Sequence, residues 1–117
     1  MKHFRRDDLE KDVLPGRVRQ MAVGRVAFSR SENMTIGFAH ISAEAGPMEP
    51  HEHGEEGIYV LAAKDGWVKW GPEKDQLTER LDLAAGMVLQ APPGEWHVFG
   101  CEEGGFIDTL FVFAPPI

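Results

Sequence analysis

Residues 86–97 read GMVLQAPPGEWH, an order of glycine, proline and histidine that indicates two short strands folded back on each other. Gly86 turns the chain into the first strand, and the two prolines end it because proline cannot donate a ladder hydrogen bond. Gly94 allows the positive φ that folds the next strand back. His97 then lies near the start of that strand, and imidazole is the commonest side-chain metal ligand.

A second group of ligand-type side chains lies upstream in residues 50–56, which read PHEHGEE. Histidines two apart on an extended segment point to the same side, because side chains alternate faces with a period of two. His51 and His53 with a nearby carboxylate could therefore chelate a divalent transition metal. The alternative is a solvated polar loop among acidic residues. His97 favours the metal site, because it offers a third imidazole.

Turn signals recur along the whole chain, in which 13 glycines and 8 prolines are scattered rather than clustered. This distribution is typical of many short strands joined by tight turns. We predict about nine strands in an antiparallel sandwich or barrel, with residues 1–16 as an N-terminal arm lying across it. Residues 34–42 form one clear strand, 58–63 a strand buried on both faces, 64–66 a hairpin turn on its Asp-Gly signal, and 106–114 the last strand.

Composition restricts the partners and the compartment. At 117 residues the chain is long enough for one core, so we expect a single domain over residues 17–117. A formal net charge of −7 argues against a nucleic-acid partner, which needs a basic face. No apolar run approaches the length of a membrane span, and no signal peptide is recognised. The single cysteine, Cys101, cannot form an internal disulfide, so we expect a packed thiol in a cytoplasmic protein.

The downstream stretch resembles the second motif of the cupin superfamily, G-x5-P-x-G-x2-H-x3-N. Gly86, Pro92, Gly94 and His97 match that motif position for position, and Cys101 replaces its asparagine. The resemblance covers about residues 34–114. It implies an all-β cupin or jelly-roll antiparallel β-barrel in which residues 86–101 supply the second half of a metal site.

The upstream stretch resembles the first cupin motif, G-x5-H-x-H-x3,4-E-x6-G, over residues 46–66. The fit is looser, because Gly46 is one residue too close to His51 and the closing glycine, Gly66, comes late. The resemblance implies that His51, His53 and His97 bind one divalent transition metal. Imidazoles with one carboxylate suit Fe, Mn, Ni, Zn or Cu.

The carboxylate ligand is either Glu55 or Glu56, because the family's glutamate position falls on Gly57 or Ile58, neither of which can ligate. Strict alternation from His51 and His53 places Glu55 on the metal side. Cupins, however, usually place this ligand three residues before a Tyr-Val-Leu-like run, and counting back from residues 59–61 gives Glu56. We predict Glu56, with a one-residue deletion in the loop.

Three further residues are candidates for proton transfer. Asp108 lies in an apolar strand, so it is either a structural hydrogen-bond acceptor or a carboxyl with a tuned pKa. The resemblance to small cupins that linearise unsaturated uronates, which have an aspartate in a similar last strand, makes it an acid–base candidate. His40 shares a face with Met34, Ile36 and Phe38, where it is either a hydrogen-bonded rim residue or catalytic. Glu55 is the third candidate if Glu56 ligates the metal.

Three functions are compatible with this pattern. The first is a metalloenzyme that acts on a small oxygen-rich or enolisable substrate by dioxygenase, isomerase or lyase chemistry. The second is a non-catalytic module that binds or senses a metal or small ligand, and the third is a barrel that has lost its metal. We also predict a homodimer, because we place residues 106–114 in an edge strand that is apolar on both faces.

Overall fold

The structure, a computed structural model, describes residues 1–116. Within that range most residues lie in β-strands and very few in helices, and the prediction of an all-β fold is confirmed. Two single-turn 3-10 helices cover Arg6–Asp8 and Ala43–Ala45. The strands are β1 (Asp12–Leu14), β2 (Arg17–Gly24), β3 (Ser29–Arg30), β4 (Thr35–Ser42), β5 (Glu55–Gly71), β6 (Glu79–Asp82), β7 (Val88–Ala91) and β8 (Trp96–Ala114).

Two long strands, β5 and β8, lie side by side at the centre of the sheet and link the strands on either side of them. The sheet order is β1-β2-β4-β8-β5-β6, with β3 added to β2 and β7 added to β5, and every pairing except the short β2–β3 contact is antiparallel. Residues 55–64 of β5 pair with 106–114 of β8, and residues 66–71 pair with 96–101. Side chains from β4, β5 and β8 meet in one hydrophobic core.

The predicted hairpin turn at residues 64–66 is wrong. Lys64 pairs with Phe106 and Gly66 pairs with Cys101, so β5 continues through this point and only the register shifts. Residues 102–105 of β8 form the irregular segment opposite Asp65, whose φ is +52°. Gly66 is needed for close packing rather than for a turn, because a Cβ at this position would collide with Ile107.

The last strand is central and not at an edge, which corrects the position from which the homodimer was predicted. Strand β8 pairs with β4 along residues 106–113 and with β5 along nearly its whole length. Ile107 and Phe111 on one face are buried, whereas Leu110 and Val112 on the other face are only partly covered. The homodimer stays a prediction.

Alternation along the strands separates an inner face from an outer face. On β5, Ile58 and Val60 are buried, but Tyr59 and Leu61 are 44% and 38% exposed, so the prediction that this strand is buried on both faces is wrong. On β4, Ala39 and Ile41 face the core. His40 lies on the outer face, with nearly half of its side chain exposed.

The N-terminal segment adds an edge strand and an ion pair to the barrel. Strand β1 pairs with β2 through residues 12–14. The 3-10 turn that precedes it places Arg6 on Asp108, 102 residues away in sequence. No helix within residues 1–116 has the length and apolar character that a membrane crossing requires.

Candidate metal centre

Backbone hydrogen bonds hold the two histidine-bearing stretches together. His51 and His97 exchange both backbone bonds, His51 N–H to the His97 carbonyl at 3.0 Å and His97 N–H to the His51 carbonyl at 2.9 Å. Gly94 N–H donates to the carbonyl of His53 at 2.9 Å. Gly94 has a φ of +78°, the conformation predicted for it from the sequence. The turn of residues 92–95 therefore fixes the loop that carries the other two imidazoles.

The three imidazoles form a compact group, called here the histidine cluster (His51, His53 and His97). One nitrogen from each ring lies within 4.8 Å of the corresponding atoms of the other two, a separation at which a single ion could be held. The ring centroids are 4.5 Å apart for His51 and His97, and 5.3 Å apart for His53 and His97. His97 is only 3% exposed, so it forms the floor of the cluster.

Two of the imidazoles are oriented by backbone carbonyls. The Nδ1 atom of His51 lies 3.1 Å from the carbonyl oxygen of Glu49, and Nδ1 of His97 lies 3.0 Å from that of Glu95. A carbonyl can only accept, so both Nδ1 atoms carry the proton and both Nε2 atoms present a lone pair. A carbonyl on the distal nitrogen is the usual way in which proteins orient a ligating histidine.

The structure separates the two glutamates that the sequence left as alternatives. Glu56 is 6% exposed, and its Oε1 lies 3.3 Å from Nε2 of His97 and 3.8 Å from Nε2 of His53. Glu55 points outwards, where its Oε2 accepts a hydrogen bond from Nε2 of Gln90 at 2.8 Å. Glu56 is therefore the carboxylate that adjoins the histidine cluster.

The polar atoms of this group are suited to a cation. Oε1 of Glu56 and Nε2 of His97 are both buried, and neither has a hydrogen-bond partner within residues 1–116. Burying unpaired polar atoms costs about 1–3 kcal/mol each, so such atoms need an explanation. A carboxylate oxygen and an imidazole lone pair that face each other would both be satisfied by one divalent ion. The donor set, three nitrogens and one oxygen, fits a borderline transition metal.

Burial keeps His51 and His53 in the neutral form that can bind a metal. Burial lowers the pKa of His51 to about 4, and the positive fields of His97, His53 and Arg17 act in the same direction against the hydrogen bond from its ring to Glu49. Burial also lowers the pKa of His53, although Glu56 opposes this shift. Both rings are therefore neutral at pH 7, the state in which imidazole can bind a metal.

Two members of the histidine cluster, His51 and His53, line an inner cavity of about 90 Å³. Its wall is mainly apolar, and Phe113 places its ring edge-on to His53 with centroids 4.9 Å apart. Two arginines, Arg17 and Arg19 of β2, also line this cavity, and neither was predicted as a site residue from the sequence. Their spacing could have predicted that they lie together, because side chains two residues apart on an extended segment share one face. The remaining lining residues are Ala39, Ile41, Met48, His51, Glu56, Ile58, Phe99, Thr109 and Phe111.

A wider groove of about 370 Å³ lies on the β6–β7 side of the barrel. It shares Ile58 and Phe99 with the inner cavity. His97 lines this groove, whereas His51, His53 and Glu56 line the inner cavity. Trp70 lines this groove and also packs against the core. The groove offers no titratable side chain of its own apart from Glu95 and His97.

Asp108 and His40 lie together on the outer face, away from the histidine cluster. They are directly opposite each other on β8 and β4, with Nδ1 of His40 3.3 Å from Oδ1 of Asp108. Arg6 forms two hydrogen bonds of 2.8 Å to the same carboxylate. Thr109, the next residue, is the one that lines the inner cavity. The structure thus does not bring these two predicted catalytic residues to the metal ligands, and their role in proton transfer stays a prediction.

The ion pair between Arg6 and Asp108 gives a pH-dependent contribution to stability. Burial raises the pKa of Asp108, but the hydrogen bonds and charge of Arg6, with His40, outweigh it and lower the pKa below its ordinary value. A carboxyl with a lowered folded-state pKa stabilises the protein above its unfolded-state pKa of about 3.9, and this contribution is lost as the pH falls through the folded-state value.

Asp108→Asn is therefore expected to lower the free energy of unfolding by about 1–2 kcal/mol at pH 7, and by much less at pH 3. Urea unfolding at both pH values measures this difference. Asp82→Asn is the control, since its carboxylate is 84% exposed beside Arg80. An equal loss of stability at pH 7 and pH 3 would contradict the ion-pair explanation.

Comparison with known proteins supports the fold assignment. No family model matches the chain, and no curated protein sequence matches it. Solved structures do match. The polyketide cyclase RemF from Streptomyces resistomycificus is 25% identical, with a TM-score of 0.74 over 99% of this chain and 82% of that one. KdgF from Halomonas sp. is 20% identical, with a TM-score of 0.67 over 99% of this chain and 96% of that one.

A third similar structure, the oxalate decarboxylase of Lactobacillus farciminis, is 20% identical with a TM-score of 0.74. The match covers 97% of this chain but only 33% of that protein, so this chain corresponds to part of the larger enzyme. All three have the cupin fold. The fold of this chain is therefore the cupin fold, as the match of Gly86, Pro92, Gly94 and His97 to the second cupin motif predicted.

Proposed function

We propose that this protein is a metal-dependent enzyme that acts on a small oxygen-rich or enolisable substrate. His51, His53, His97 and Glu56 would hold one divalent ion. The observation that carries the proposal is the pair of buried atoms, Oε1 of Glu56 and Nε2 of His97, which lie 3.3 Å apart without hydrogen-bond partners. A bound cation is the simplest way to satisfy both atoms, and a purely structural cluster would leave them uncompensated.

An enzyme is favoured over a passive metal site because the ligands border a cavity. Structural metal sites are closed, whereas catalytic sites keep coordination positions open. A volume of about 90 Å³ leaves space for several water molecules, and hence for a small substrate. Matching structures include a polyketide cyclase and an oxalate decarboxylase, so cupin barrels of this shape carry enzymatic chemistry.

The chain's own residues would position the substrate and keep water away. The carbonyls of Glu49 and Glu95 fix the rings of His51 and His97, so the ligand directions are set before the substrate arrives. Phe111 and Phe113 supply an apolar wall that excludes water and strengthens electrostatic contacts inside the cavity. A bound divalent ion would supply Lewis acidity towards a carbonyl or enolate oxygen, with Fe, Mn, Ni, Zn and Cu all compatible with these ligands.

Metal-dependent turnover tests this proposal. Protein loaded with each of the five metals is assayed for oxygen uptake and for product formation with keto acids, diketones, catechols and uronates. We expect turnover of at least one class that disappears on chelation and returns with metal. His97→Ala should be inactive, and Asp82→Asn, which changes an exposed carboxylate beside Arg80, should retain metal-dependent activity. Turnover that survives both chelation and His97→Ala would contradict metal dependence. Ligand binding without any turnover would favour a binding module instead.

A further inference from the structure

The inner cavity contains two positive charges that no part of the proposed metal site requires. Arg17 and Arg19 alternate along β2 and line the cavity beside His51, His53 and Glu56. They pair across the sheet with Ile41 and Ala39 of β4, whose side chains line the same cavity. Arg17 is close enough for its charge to act on His51, His53 and Glu56. We call these two residues the arginine pair.

The arginine pair lacks strong partners within residues 1–116. Arg17 donates one hydrogen bond, to the carbonyl of Pro15 at 3.2 Å, and no ion pair joins it to Glu56. Arg19 approaches the carboxylate of Asp12 only to 3.7 Å, and its buried Nε has no hydrogen-bond partner. Arg6, by contrast, holds Asp108 with two bonds of 2.8 Å. An arginine that serves only the fold can thus be fully paired in this protein, and these two are not.

The arrangement is unfavourable unless something else binds there. Burial and the neighbouring charge of Arg19 both lower the pKa of Arg17, although Glu56 opposes the shift, so the two guanidinium groups repel each other in a partly buried place. If Glu56 binds a metal, its charge is neutralised by the ion and the cavity becomes strongly positive. This local charge is opposite in sign to the net charge of the whole chain, −7. A positive cavity in an acidic protein attracts small anions.

We propose that Arg17 and Arg19 bind a carboxylate of the substrate, so that the substrate is a small organic acid. The inference rests on the proposed metal-dependent function and narrows it. Guanidinium groups present their donors in a fork that matches the two oxygens of a carboxylate. A second oxygen of the same molecule would then lie towards the histidine cluster. The cavity, at about 90 Å³, is well below the 300–1,000 Å³ of sites for larger ligands, so the acid is small.

Calorimetric titration with malonate tests the arginine pair, and malonamide is the matched neutral probe. We expect metal-loaded protein to bind malonate at least about tenfold more tightly than malonamide. Arg17→Gln and Arg19→Gln should each weaken malonate binding by roughly tenfold to a hundredfold, the value of a hydrogen bond to a charged group. Arg19→Lys, which keeps the charge without the fork, should recover part of the loss. Thermal unfolding of each variant verifies that it is folded.

Arg25→Gln is the control, because Arg25 is half exposed and pairs with Glu32 away from the cavity. Its malonate affinity and metal content should equal those of the wild type. Wild-type malonate affinity in both Arg17→Gln and Arg19→Gln would overturn the inference. Equal binding of malonate and malonamide would overturn it too, as would tighter binding of inorganic phosphate than of malonate.

The same samples separate this inference from the proposed function. Metal content is measured in each, and malonate is also titrated into the His51→Ala/His97→Ala double variant, which retains both arginines. We expect weaker but still arginine-dependent binding there. Protein that binds no metal yet binds malonate through Arg17 and Arg19 would refute the metal-dependent function alone. Protein that binds metal but shows no preference for malonate would refute the carboxylate assignment alone.

Discussion

His97→Ala is expected to abolish stoichiometric metal binding, with a loss of affinity of roughly a hundredfold or more. Replacing even a residue that only supports a metal ligand typically costs tenfold to a hundredfold, and His97 would be a ligand itself. It is also the most buried member of the histidine cluster, so water cannot easily replace it. Metal analysis by mass spectrometry, after equilibration with a competing chelator, measures the change.

Metal loss should also appear as lost stability. An ion present at about 100 times its dissociation constant stabilises the folded state by about 2.7 kcal/mol. Chelation should therefore lower the melting temperature of the wild type but not that of His97→Ala. His40→Ala is the control, because His40 lies on the outer face and is not part of the cluster. Full metal occupancy in His97→Ala, or loss of metal in His40→Ala, would contradict the assignment.

Glu56→Gln and Glu55→Gln form a matched pair that should behave in opposite ways. Glu56→Gln should weaken metal binding by at least about tenfold, because the buried site loses the negative charge that compensates the ion. Glu55→Gln should keep its metal, since Glu55 is exposed and bonds to Gln90. Chelator competition on the two variants side by side measures the difference.

The metal-free proteins give a second, independent comparison. Without an ion, Oε1 of Glu56 is buried without a hydrogen-bond partner. Removing this carboxylate should then raise the free energy of unfolding by about 1 kcal/mol or more. Glu56→Gln should thus be more stable than the wild type when both are metal-free, and less stable when metal is supplied. If metal changed the free energy of unfolding of Glu56→Gln and of the wild type by the same amount, Glu56 would be excluded as a ligand.

The choice between the two glutamates illustrates what sequence spacing can provide. Alternation from His51 and His53 favoured Glu55, but residues 52–54 are not in a strand, so the two-residue period does not extend across them. Alternation is valid only inside β5, where Glu56 shares its face with Ile58 and Val60. Counting back from the strand interior therefore selected the residue that the structure places beside His97.

Features set by local chemistry were predictable, and features set by distant contacts were not. The turn around Gly94 follows from its own backbone freedom, and the strand at residues 34–42 follows from its alternation. The Arg6–Asp108 ion pair joins residues 102 apart in sequence, so the local apolar pattern around Asp108 gave no indication of the guanidinium that covers it. The hairpin prediction failed likewise, because Gly66 accommodates Ile107 from β8 rather than a turn.

The charge inside the cavity could likewise not be predicted from the net charge of the whole protein. A net charge of −7 describes the chain as an average and does not give the sign of the charge at one site. Alternation on β2 nevertheless turns Arg17 and Arg19 inwards, where they line the cavity next to the histidine cluster. The proposed binding of a carboxylate follows from these two side chains and not from the overall composition.

Anomalous diffraction from crystals of natively expressed protein, recorded at the absorption edge of the metal found by elemental analysis, tests the central claim most directly. We expect one anomalous peak per chain, within about 2.0–2.2 Å of a nitrogen of His51, His53 and His97 and of a carboxylate oxygen of Glu56. A peak elsewhere would contradict the proposed metal site. Protein that contains one metal ion per chain but shows no peak among these four side chains would contradict it as well.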